Sequence, residues 1–103
     1  MITASIVTYN NNLLDLEGIL RSLLISPVQK VRVVDHSDTF IRLEGELQEY
    51  KRKDEEFLKH EGRGFRLEYI KQANKGYGSG HNVALRKAID EGSQYHLVVN
   101  PDV

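Results

Sequence analysis

Four short polar clusters in this sequence carry residue types suited to ligand chemistry. Thr8-Tyr9-Asn10 offers a hydroxyl, an aromatic face and an amide. Such a set can stack on a base and hydrogen-bond it, or simply turn a strand into a helix. Asp35 closes the strand-like stretch Val31-Arg32-Val33-Val34, so its carboxylate is expected at the mouth of the fold rather than in the core. There it could accept a proton from a base imide or a ribose hydroxyl, or cap the next turn. Asn74-Lys75-Gly76-Tyr77-Gly78-Ser79-Gly80-His81-Asn82 places three glycines and a cation just before a helix. Glycines let backbone amides approach a ligand closely, and a helix N-terminus favours negative charge. Asp102, in Asn100-Pro101-Asp102, offers a hard oxygen to a divalent cation, or else belongs to a plain turn. Mg²⁺ characteristically takes one or two carboxylates together with substrate phosphates.

The spacings exclude several chemistries. Gly76, Gly78 and Gly80 run G-x-G-x-G after the third strand, whereas a dinucleotide fingerprint runs G-x-G-x-x-G after the first. The stretch is equally unlike the G-x-x-x-x-G-K-[ST] phosphate loop, so a nicotinamide enzyme and a P-loop ATPase are both disfavoured. His36, His60, His81 and His96 show no H-x-x-x-H pairing. His60 and His96 are read as non-functional; His36 and His81 fall inside polar clusters and could touch a ligand.

The elements that must position these clusters follow from the hydrophobic pattern. Ile2 to Thr8 is a short, apolar, partly β-branched stretch that stops at Tyr9-Asn10-Asn11-Asn12, a strand running into a turn. Leu13, Leu16, Leu20, Leu23 and Leu24 recur at helical spacing, with Asn11 or Asn12 as cap and Ser26-Pro27 as stop. Val31 to Val34 is a second strand, and Ile41 to about His60 a charged helix with Leu43, Leu47, Tyr50, Phe57 and Leu58 along one side. Phe65, Leu67 and Tyr69 alternate with polar residues, as in a third strand nearer a sheet edge. A glycine-rich turn is expected from Asn74 to Gly80, then a helix through Ala84, Leu85, Ala88 and Ile89 that stops at Gly92. Tyr95 to Val99 is a fourth strand. The order β-α-β-α-β-α-β predicts a Rossmann-like three-layer α/β/α fold with a mainly parallel four-stranded sheet. Ligands of open α/β sheets bind outside the carboxyl ends of the strands, where all four polar clusters fall.

With 103 residues the chain is read as a single domain, residues 1–103. It is 40% hydrophobic and 28% charged, in the range of ordinary globular proteins. Fourteen Lys and Arg against fifteen Asp and Glu give a net charge of −1, which supplies no positive field for nucleic acid or a membrane. The absence of cysteine excludes disulfides, thiolate metal sites and a cysteine nucleophile. No apolar run approaches the ~20 residues of a membrane span, and no basic leader precedes the first strand. The expected location is therefore cytoplasmic.

Taken together, Ser5-Ile6-Val7-Thr8-Tyr9-Asn10, Val33-Val34-Asp35-His36-Ser37, Asn74-Lys75-Gly76 through Asn82, and Val98-Val99-Asn100-Pro101-Asp102-Val103 resemble the N-terminal half of a family 2 glycosyltransferase with the GT-A fold. The N-P-D form looks most like rhamnosyltransferase-type members. By that resemblance Thr8 and Tyr9 line a base pocket and Asp35 hydrogen-bonds the base. Asn74, Gly76 and Asn82 shape the wall beside the nucleotide, with Asn10 and Lys75 in the same nucleotide-binding set. Asn100-Pro101-Asp102 stands where the family has D-x-D, so Asp102, with Asn100, would hold Mg²⁺ or Mn²⁺ against the diphosphate of a nucleotide-diphosphate sugar. His36 replaces the more usual asparagine of a D-N-S segment.

Family members are generally far longer, with the acceptor site and general base after that strand. The resemblance therefore implies a donor-binding half, truncated after the D-x-D-like motif and inactive alone, from an enzyme of polysaccharide or glycoconjugate synthesis that is cytoplasmic or peripheral at the inner membrane. The sheet edge and face such truncation exposes lead to an expected homo-oligomer. Two alternatives remain open: a non-catalytic nucleotide-binding or interaction module, and a nucleotidyltransferase-like enzyme. The latter would carry a glycine- and Arg/Lys-rich phosphate loop after the first strand, which Thr8-Tyr9-Asn10-Asn11 does not supply.

Overall fold

A computed structural model describes residues 1–9, 13–24, 26–36, 42–60, 66–72 and 77–99. Strands and helices alternate: β1 (Ile2–Thr8), α1 (Leu13–Leu24), β2 (Lys30–Asp35), α2 (Arg42–His60), β3 (Arg66–Lys71), α3 (Tyr77–Asp90) and β4 (Tyr95–Val99). The strands form one sheet in the order β3-β2-β1-β4, and every pair is parallel. This is the three-layer α/β/α arrangement expected from the sequence. β3, whose apolar and polar residues alternate, lies at an edge, while β1 lies inside.

Side chains of a strand alternate between faces, so the two faces collect different residues. On one face Ala4, Ile6, Val31, Val33 and Leu67 pack with Leu16, Leu20 and Leu23 of α1 and Leu43 and Leu47 of α2. Leu16 and Leu20 are fully buried, and each such burial stabilises the fold by about 1.5–3 kcal/mol. The leucine spacing of α1 thus does what its period implies, and Leu14, off that stripe, is exposed. The side chains of Leu13, Leu24, Phe57 and Leu58, assigned to the same stripes, lie outside the described residues.

α3 covers the opposite face. There Val7, Val34 and Ala84 make a small apolar cluster with Ile70 beside it. α3 starts at Tyr77, which corrects the glycine-rich turn expected from Asn74 to Gly80: Gly78 and Gly80 lie within its first turn. Close packing explains Gly80. A Cβ there would lie 2.7 Å from Val7 Cγ2 and 3.0 Å from His36 Cε1. Gly92 ends α3 as expected, at φ 79. Its N–H donates to Ile89 O at 3.0 Å and that of Ser93 to Ala88 O at 2.9 Å, the paired bonds of a Schellman C-cap.

β4 is paired only with β1 among the described residues. Its Tyr95, Leu97 and Val98 are 68%, 45% and 59% exposed, so apolar composition here does not mean burial.

Candidate functional site at the carboxyl rim of the sheet

In the parallel register Thr8, the last residue of β1, stands opposite Asp35, the last of β2, which stands opposite Lys71 of β3. The ladder continues past the strand ends: His36 N–H donates to Thr8 O at 2.8 Å and Gln72 N–H to Asp35 O at 3.0 Å. The Thr8 hydroxyl donates to Asp35 Oδ1 at 2.9 Å and the Tyr69 hydroxyl to Asp35 Oδ2 at 2.6 Å. Asp35 is therefore not the projecting carboxylate expected at the mouth. It is buried, 1% exposed, because two hydroxyls from the flanking strands satisfy one lone pair on each oxygen. Tyr9, the next residue after Thr8, is 49% exposed.

Around this row His36 is buried and its Nε2 lies 2.9 Å from Gln72 Oε1. Its ring packs against Gly80, which seats the first turn of α3 on the sheet. Asn82 is in the next turn of α3 and exposed. Asn10, Asn74, Lys75, Gly76, Asn100 and Asp102 lie outside the described residues. β4 ends at Val99, in register with Ile6, two residues before Thr8 of β1. Among the described residues no group of three or more His, Asp and Glu is arranged to hold a metal ion. A cavity of about 180 Å³, lined by Leu47, Gln48, Lys51, Leu67 and Tyr69, lies between α2 and β3 and shares Tyr69 with the Asp35 row.

A second polar cluster, under α3, was not singled out from sequence. Register aligns Val98, Ser5, Arg32 and Glu68 across the sheet, with His96, Thr3 and Lys30 in the neighbouring row. Arg32 is 2% exposed; its Nε meets Glu68 Oε2 at 3.2 Å and its Nη2 meets Glu91 Oε1. Lys30 reaches the same two carboxylates at 3.5 and 3.2 Å, and Lys87 reaches Glu68 at 3.5 Å. Burial works to raise the Glu68 pKa, but Arg32, Lys87 and Lys30 outweigh it and hold the carboxyl below its usual range. Arg32 Nη1 has no hydrogen-bond partner among the described residues.

Ser5 Oγ lies 2.6 Å from His81 Nδ1 and 2.9 Å from His96 Nε2, and Thr3 Oγ1 lies 2.7 Å from His96 Nδ1. Burial pushes the His81 pKa down, with His96 and His36 adding to it; burial followed by Arg32 does the same for His96. His96, read from sequence as non-functional, is a half-buried member of this hydrogen-bonded chain. The sequence signal was a polar residue at every second place on one face: Thr3 and Ser5, Lys30 and Arg32, Glu68, and His96. A parallel strand buried on both faces has no intrinsic reason to carry these.

Among the described residues no helix is long and apolar enough to cross a membrane. No known protein family, curated protein or solved structure matches the chain.

Proposed function

We propose that the chain binds a nucleotide-diphosphate sugar at the carboxyl rim of its sheet, as the donor-binding part of a cytoplasmic, metal-dependent glycosyltransferase. The observation that carries this is the row of Thr8 and Asp35 at the ends of adjacent parallel strands, with the ring of Tyr9 half-exposed beside it. Tyr9 stacks on the base. Asp35, held in one orientation by Thr8 and Tyr69, is the acceptor for the base imide or a ribose hydroxyl. Asn10, Asn74, Lys75, Gly76 and Asn82 bound the nucleotide, and Asn100 and Asp102 are the oxygen donors the sequence offers a divalent cation. Such a cation, Mg²⁺ or Mn²⁺, neutralises charge on a departing diphosphate.

Calorimetric titration with UDP-, dTDP- and GDP-sugars, with and without Mn²⁺, tests this. One of the three is expected to bind, and Tyr9→Ala, a change at a half-exposed site, to weaken it about tenfold through lost stacking. Absence of binding by all three with Mn²⁺ present would overturn the assignment.

The β4 edge favours, in addition, self-association. Among the described residues its outer side is unpaired, its exposed side chains are apolar, and Tyr95 to Val99 contain no Lys, Arg, Asp, Glu or Pro to discourage pairing. Two copies can thus meet edge to edge about a two-fold axis with no like-charge penalty. Light scattering should give a dimer mass, and a monomer at the concentrations used for calorimetry refutes the association while leaving nucleotide binding untouched.

A further inference from the structure

α3 is tied to the sheet by a hydrogen-bonded chain whose members come from three elements. It runs Thr3 (β1), His96 (β4), Ser5 (β1), His81 (α3), at separations of 2.7, 2.9 and 2.6 Å. With both imidazoles neutral the protons can run from Thr3 toward His81 or in the reverse sense. In either sense each ring nitrogen in the chain has a definite role, and Ser5 donates once and accepts once. When both rings carry a second proton, His81 Nδ1–H and His96 Nε2–H point at one oxygen. Ser5 then has no ring to donate to, and Thr3 loses its acceptor on His96.

Charge acts in the same direction. The ionisable groups facing the pair are Lys30 and Arg32 of β2, His36 just past β2, Glu68 of β3, and Lys87 and Glu91 of α3. Glu68 and Glu91 are already shared among Lys30, Arg32 and Lys87. Two new imidazolium charges enter a partly buried cluster in which three cations already face two carboxylates.

We propose that His81, Ser5 and His96 form a proton-operated latch: closed while both imidazoles are neutral, it opens when both take up a proton, and α3 then leaves the sheet while the α1/α2 layer stays packed. The sign follows from burial. Both rings bind protons more weakly in the folded chain than the ordinary imidazole, whose pKa is about 6.5. The latch is therefore fully stable above about pH 6.5 and loses stability as pH falls from there toward the lower folded values. The opposite layer gives no comparable response, because its core is leucine, isoleucine, valine and alanine. The latch does not depend on the proposed ligand. Only its consequence for nucleotide affinity does, since α3 directly follows the Asn74 to Gly76 segment.

Hydrogen exchange read by mass spectrometry from about pH 7.5 to about pH 5, corrected for the intrinsic pH dependence, tests the latch alongside NMR titration of the imidazoles. Peptides from α3 are expected to lose protection about tenfold more than peptides from α1, in step with titration of His81 and His96 below about pH 6.5. His81→Asn, which keeps a polar group near Nδ1 but cannot be charged, should flatten the response. Equal loss in α1 and α3, an α3 protected throughout, or either ring titrating at or above about 6.5 overturns it. Should His81→Asn fail to fold, the wild-type comparison of protection with imidazole titration still decides.

Discussion

On the α1/α2 side of the sheet, Ala4, Ile6, Val31 and Val33 meet the leucines of two helices. One residue along each strand, on the α3 side, Ser5 meets His81, Arg32 meets Glu91 and Glu68 meets Lys87. The same strands thus present an interior held by volume and an interior held by proton and charge placement. Apolar packing is insensitive to pH but senses each lost methylene. A buried polar network tolerates little removal of partners, because each deletion strands a desolvated group. On the proposed latch, this difference is what lets the sheet keep one helical layer while the other responds to pH.

The sharpest way to break this contrast is Arg32→Ala. It removes the buried guanidinium from Glu68 and Glu91, which keep only Lys30 and Lys87, and loses the packing of a buried side chain; a loss of about 3 kcal/mol in urea unfolding is expected. Arg32→Met, which fills more of the vacated volume while Lys30 and Lys87 stay with the two carboxylates, should recover part of it. A wild-type urea midpoint for Arg32→Ala alone would show that the charges under α3 contribute nothing. On the other face Leu20→Ala is expected to cost about 3 kcal/mol. The size of that loss should be the same at about pH 7.5 and about pH 5.5; a loss that changes with pH would mean the two layers are not separable.

The smallest effect sharpens the polar side itself. Because Glu68 has a folded pKa below its unfolded value of about 4.5, its contribution is present above that pH and is lost as pH falls through the folded value. Urea midpoints taken toward pH 3 should therefore decline less in Glu68→Gln than in wild type, in a window distinct from that of the histidines. Identical declines would remove Glu68 from the acid response.

Much of the architecture was legible because hydrophobic period is a local signal. The leucines of α1, the alternation of β3 and the Gly92 stop each needed only a few neighbouring residues. The polar interior was not legible in the same way. Ser5, Arg32 and Glu68 form one row only after three strands are set in register, and each looks ordinary in its own strand. Asp35 illustrates the same limit at the candidate site. That it ends a strand could be read directly, but its burial depends on Tyr69, 34 residues further on. The start of α3 at Tyr77 reverses the usual meaning of clustered glycines, since Gly80 serves close approach to Val7 and His36 rather than a turn.

The strand order has a consequence for how the molecule comes into being. β1 is made before the other three strands yet sits between β2 and β4, and the contact of Thr3 with His96 joins residues 93 apart. During synthesis one edge of β1 must wait, open, for nearly the entire described chain to emerge. Long-range parallel pairing of this kind is intrinsically slow. Until β4 emerges the nascent strand is open to capture by another chain, and the hydroxyls of Thr3 and Ser5 make one of its faces less greasy than that of an all-valine strand.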